Sequence, residues 1–108
     1  MSKENEFFQG SGNIFADLDV ADADMELAKA ELAYIIRCRI RALGLKQKQA
    51  AEMLHTDQAK VSAIMSGKVS GYTYDRLMRY LNNLNCDITI SIASPKPEHS
   101  GKVLVETL

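Results

Sequence analysis

The chain has 108 residues, 46 % of them hydrophobic, and a formal net charge of −1. That length fits one domain with a modest core, and no apolar run approaches the roughly 18 residues that a membrane span requires. Neither the two cysteines, Cys38 and Cys86, nor the two histidines, His55 and His99, have metal-ligand or redox spacing. No cofactor is expected, and the cysteines read as the reduced thiols of a cytoplasmic protein.

The opening MSKENEFFQGSGNIF lacks the apolar core of a signal peptide. Residues 1–21 are expected to form a flexible acidic arm, with Phe7, Phe8, Ile14 and Phe15 as candidate packing anchors. A long helix is predicted next. Asp22 or Asp24 can cap it, and Met25 to Leu43 is dense in helix formers. Leu32, Ile36, Ile40 and Leu43 make its buried stripe, and Gly44 ends it.

Residues 45–68, LKQKQAAEMLHTDQAKVSAIMSGK, read as two short helices joined by a tight turn. In the first, Lys46 to Leu54, Ala50, Met53 and Leu54 have the i, i+3, i+4 spacing of a buried stripe. Ala51 is small enough to let a second helix approach. Asp57 is a good N-cap, since its carboxylate accepts from the backbone N–H groups of the next turn. The second helix runs from Gln58 to about Ser66, with Gly67 as its stop. Val61, Ile64 and Met65 fall on one face; Gln58, Ala59, Ser62, Ala63 and Ser66 fall on the other.

That second face is flat and polar, which suits insertion into a DNA major groove. A Gln amide pairs bidentately with adenine, an interaction worth roughly 1–3 kcal/mol of discrimination. Gln58 lies in the first turn, the part of a recognition helix nearest the bases. Ala59 and Ala63 suit a thymine methyl; Ser62 and Ser66 suit a base or a phosphate. Any small helical domain also contains helix pairs with one apolar face, so the spacing alone is not decisive.

Beyond the pair, Thr73 is a plausible cap for a helix from Tyr74 to about Leu84, which supplies Leu77, Tyr80, Leu81 and Leu84 to the core. Tyr72 and Tyr74 either pack or touch phosphate, and packing is the commoner fate. From Asp87 to Ala93 the pattern alternates strictly, the mark of a half-buried strand, and Pro95 stops it. A lone strand cannot bury Ile88, Ile90 and Ile92. Its partner is either Val103 to Val105 in a hairpin or the same strand of a second subunit. The second is preferred, because helix-turn-helix proteins reach useful specificity as dimers on two half-sites. The expected organisation is therefore an arm (1–21), a DNA-binding domain (22–86), a dimerisation strand (87–94) and a tail (95–108).

Charge is segregated along the chain. Residues 1–31 carry eight acidic and two basic side chains, whereas residues 32–80 carry nine basic and three acidic. The basic stretch coincides with the helix pair, the footprint expected for phosphate neutralisation. Lys68 and the residues from Ser70 to Thr73 follow the second helix directly and are the candidate phosphate contacts, with Lys46 and Lys60 before them. No Ser/His/Asp or Cys/His constellation, glycine-rich phosphate loop or metal-ligand cluster is present, so an enzyme is not expected.

Residues 45–68 resemble the helix-turn-helix of the Xre family, the lambda-repressor-like DNA-binding domains. Leu45, Gln47, Ala51, Thr56, Gln58, Val61, Ser62, Ile64, Gly67 and Lys68 match the family pattern without a gap. The resemblance implies a mainly α fold, a bundle of four to five helices, here with a C-terminal β-strand paired across a dimer. It implies that Gln47 contacts a phosphate and that Gln58 is the principal base reader, with Ala59, Lys60 and Ala63 beside it. Two residues depart from the pattern. His55 stands where the family has Gly, a turn position that often needs positive φ, and Lys46 replaces the usual Thr cap.

The order of elements, from Ser11–Leu18 through the long helix and the pair to Ile88–Ile92, also resembles a narrower group that includes HigA-like antitoxins. Those proteins repress their own operon and bind a RelE- or HigB-like RNase toxin. The unpaired strand makes a homodimer on a palindromic double-stranded operator the expectation, and the resemblance implies a toxin partner as the alternative role. The acidic N-terminal third either lies against such a toxin or is a solvated arm.

Overall fold

The computed structural model describes residues 20–98 and 100–107, with side chains from Met25 onward. The residues of the expected arm before Val20, including Phe7, Phe8, Ile14 and Phe15, lie outside the described residues. Four helices follow one another: α1 (Val20–Ala42), α2 (Gln47–Leu54), α3 (Gln58–Met65) and α4 (Tyr74–Asn83). The long α1 packs against α3 and α4, and α2 packs against the same two helices, so the core lies where the four meet.

Periodicity explains most of that core. Ile36 and Ile40 of α1, Ala50 and Leu54 of α2, Val61 and Ile64 of α3, and Leu77, Tyr80 and Leu81 of α4 are buried, together with Leu84 just past α4. Ala51 is buried as well, and its small side chain permits the close approach of α3. Met53 and Met65 are only partly buried. Along α1 the stripe differs from the expected one. Leu32 is partly buried and Leu43 is 39 % exposed, while Ala28 and Ala33 are fully inside. Leu43 falls past the last helical residue, in a turn that carries it away from the core. The helix is also formed by Val20, so Asp22 and Asp24 lie within it and neither is its N-cap.

The helices end alike. Gly44, His55, Gly67 and Asn85 adopt positive φ, at 67°, 58°, 80° and 69°. In each case the next residue's N–H reaches back five positions: Leu45 to Ile40 (3.2 Å), Thr56 to Ala51 (2.9 Å), Lys68 to Ala63 (2.8 Å) and Cys86 to Leu81 (3.0 Å). These are Schellman closures, which satisfy carbonyls that the helix leaves open. His55 thus takes the left-handed conformation that its place in the motif demands.

No strand is present among the described residues. Residues 87–94 form no hairpin with Val103–Val105, and neither segment has a ladder partner among the described residues. Ile88, Ile90 and Ile92 are 37 %, 71 % and 89 % exposed, and Val103 and Leu104 are exposed too.

Candidate nucleic-acid interface

Asp57 starts α3. Its Oδ1 accepts from the Lys60 N–H at 2.9 Å, and that hydrogen bond holds its carboxyl below the usual aspartate range. From this start the 3.6-residue period turns Val61 and Ile64 inward and presents Gln58, Ala59, Ser62 and Ser66 to solvent. Ala63 lies at the edge of the exposed face, half-buried. The Gln58 amide and the Ser62 hydroxyl make no hydrogen bond among the described residues, so both are available to a ligand.

Lys60 is less free than its place in the sequence suggests. It is half-buried, and its ammonium lies 3.3 Å from Asp57 Oδ2. Lys68 is exposed, and its backbone is tied to Ala63 by the closure at Gly67. The loop that follows is anchored by buried Val69 and by the Tyr72 N–H, which donates to the Val69 carbonyl at 3.0 Å. Ser70 is exposed at its tip. Thr73 Oγ1 accepts from the Arg76 N–H at 3.1 Å and caps α4; the hydroxyl proton stays available to an acceptor outside the domain.

At the other helix of the pair, Gln47 is the first residue of α2 and is exposed. Lys46 precedes it in extended conformation, and its N–H donates to Gln49 Oε1 at 2.9 Å. Gln49 thereby supplies one half of a capping box, a feature that the Lys46 departure hid in the sequence. A lysine side chain has no acceptor with which to return the other half.

A family model described as a helix-turn-helix domain matches residues 14–93. A solved structure assigned to the XRE family of transcriptional regulators is 34 % identical, with a TM-score of 0.73, and the match covers 81 % of this chain and 99 % of that one. The chain belongs to the XRE family of helix-turn-helix proteins. No curated protein sequence is significantly similar to it.

In this XRE domain the basic stretch divides into two sets, a division that the sequence does not show. Arg37 Nη1 donates to the Ile64 carbonyl at 3.0 Å, and Arg39 Nε donates to the Leu84 carbonyl at 3.0 Å. Arg79 pairs with Asp75 along α4. These cations serve the fold. Arg41, Lys46, Lys48 and Lys68 are exposed, and their side chains donate no hydrogen bond and enter no ion pair among the described residues, so they form the outward positive set. Tyr72 and Tyr74 turn inward. Tyr72 OH donates to the Lys60 carbonyl at 3.0 Å and Tyr74 OH to the Met25 carbonyl at 2.7 Å. Burial pushes both phenols above their usual range.

Proposed function

We propose that this XRE-family chain is a sequence-specific DNA-binding transcriptional regulator that lays α3 in the major groove. The observation that carries the reading is the outward face of α3. Gln58, Ala59 and Ser62 stand exposed in a row, with Ala63 at their edge, on a helix whose other side is locked in the core. Gln58 reads a base, and Ala59, Ser62 and Ala63 complete the face. Lys46, Gln47, Lys60, Lys68, Ser70 and Thr73 contact phosphate and set the register. Lys60 contributes least, because Asp57 already engages its ammonium.

The protein acts as a dimeric repressor on a palindromic operator, which includes the DNA upstream of its own gene. Support for the dimer comes from Ile88, Ile90 and Ile92, three alternating apolar side chains left exposed in a segment that has no ladder partner among the described residues. A second subunit offers both the missing hydrogen bonds and the apolar cover.

Fluorescence anisotropy with the upstream duplex, a scrambled duplex and a salt series tests the reading. Wild type is expected to prefer the upstream duplex. Gln58→Ala should lose about 1–3 kcal/mol of that preference, whereas Lys68→Ala should weaken binding to both duplexes alike. Unchanged specificity in Gln58→Ala would overturn the base-reader assignment.

A second reading, an antitoxin that neutralises a RelE- or HigB-like RNase toxin, draws on exposed Leu27 and Tyr34, which share the side of α1 turned away from the core. It requires a small toxin encoded next to this gene, and failure of the two proteins to co-purify removes it.

A further inference from the structure

The recognition helix is short, and only two of its side chains, Val61 and Ile64, are fully buried. Two buried contacts one turn apart hold such a helix against the core but constrain rotation about its own axis weakly. Two hydrogen bonds from outside the helix supply that constraint. Near its start, the Lys60 carbonyl accepts from Tyr72 OH at 3.0 Å. Near its end, the Ile64 carbonyl accepts from Arg37 Nη1 at 3.0 Å. Residues four apart lie one turn from each other on the same side of a helix, so the two donors grip one edge of α3 at two points.

Both donors are themselves held. The Tyr72 carbonyl accepts from Lys29 Nζ at 3.2 Å, and Lys29 is paired with Glu26 at 2.9 Å. The Arg37 guanidinium lies 5.4 Å from the centre of the Tyr34 ring. Lys29, Tyr34 and Arg37 all belong to α1, which therefore splints α3 at both ends. Arg37 also faces the negative end of the α3 dipole, where a cation is favourable.

We infer that Arg37 and Tyr72 are positioning residues for base reading: they fix the rotation of α3 and so the direction in which Gln58 points. This rests on the DNA-reading function proposed above. Bidentate pairing with a base edge tolerates little angular error, so loosening the grip lowers discrimination. It leaves general phosphate affinity intact, because Lys46, Lys48 and Lys68 are untouched.

The experiment uses a duplex that full-length wild type enriches from a randomised pool, alongside a scrambled duplex, across a salt series. Tyr72→Phe keeps the ring and removes only the hydroxyl; Arg37→Gln removes the charge, and Arg37→Lys tests rescue. Each variant is measured where circular dichroism shows it folded. Tyr72→Phe and Arg37→Gln are expected to lower the enriched-to-scrambled affinity ratio about three- to tenfold, with scrambled-duplex affinity and salt slope unchanged. Arg37→Lys is expected to recover part of the ratio. A lower melting temperature with an undiminished ratio means a merely structural role and overturns the inference. Equal weakening on both duplexes, with a salt slope smaller by about one, makes Arg37 a phosphate contact and overturns it too. If wild type itself enriches nothing, it is the base-reading function that has failed, a result separable from the others.

Discussion

The backbone N–H of Lys68 donates to the carbonyl of Ala63 over 2.8 Å, bridging the end of α3 and the start of the loop behind it. Gly67 stands between them at φ +80°, where a Cβ would meet nothing closer than Arg37 Nη1 at 3.9 Å. Space is therefore not the constraint at this position; backbone conformation is. Gly67→Ala is expected to destabilise the domain by about 1–2 kcal/mol, read in a urea melt. An unchanged midpoint would show that the closure contributes nothing.

His55 ends α2 at φ 58°, ψ 47°. A side chain pays a steric penalty there that glycine avoids, partly offset by glycine's greater freedom in the unfolded chain. His55→Gly is expected to raise stability by about 0.5–1 kcal/mol. A loss of stability in the same melt would mean that the imidazole makes a contribution beyond the turn.

Asp57 caps α3 as a carboxylate, and the backbone amide of Lys60 holds its pKa below the ordinary aspartate value of 3.8. A depressed folded-state pKa adds stability above the unfolded value and loses it as pH falls through the folded one. The cap should therefore weaken as pH drops below 3.8. Asp57→Asn offers the same acceptor without a titrating charge. Melting temperatures of wild type and Asp57→Asn should converge as acid is added; curves that stay parallel throughout would contradict the assignment.

Leu77 is fully buried where α4 meets the core. Leu77→Ala removes three buried carbons and leaves a cavity, and should cost about 2–5 kcal/mol. Denaturant unfolding measures it, and a cost under about 1 kcal/mol would show that the site collapses around the gap.

Ile90 is 71 % exposed in a chain considered alone. If its segment pairs across a two-fold axis, wild type sediments as a dimer at micromolar concentration and Ile90→Lys sediments as a monomer. A monomeric wild type that the substitution leaves unchanged would remove the intersubunit strand.

Much of the helix-turn-helix pair was legible because its determinants are local. Asp57 and Thr73 cap the helices that their positions foretold, since each hydrogen bond spans three residues. The buried positions of α3 and α4 follow from a period that backbone geometry imposes. The start of α2 was harder to read: Lys46 looked like a missing cap, and the compensating acceptor on Gln49 goes unnoticed unless the reverse half of a capping box is considered. The alternation of residues 87–93 predicts a half-buried strand, and no strand is present there among the described residues: apolar periodicity alone cannot form a strand without a ladder partner.

What the sequence by itself determined is therefore the pair of short helices, their caps and turns, and the polar face of α3, all set by bonds between residues at most five apart. Tertiary structure alone decided which cations face outward. Arg37 and Ile64 are 27 residues apart, and Arg39 and Leu84 are 45 apart. Nothing in a local pattern distinguishes these arginines from Lys48 or Lys68. A guanidinium becomes part of the fold only when packing brings a carbonyl within its reach, and packing is a property of the whole chain.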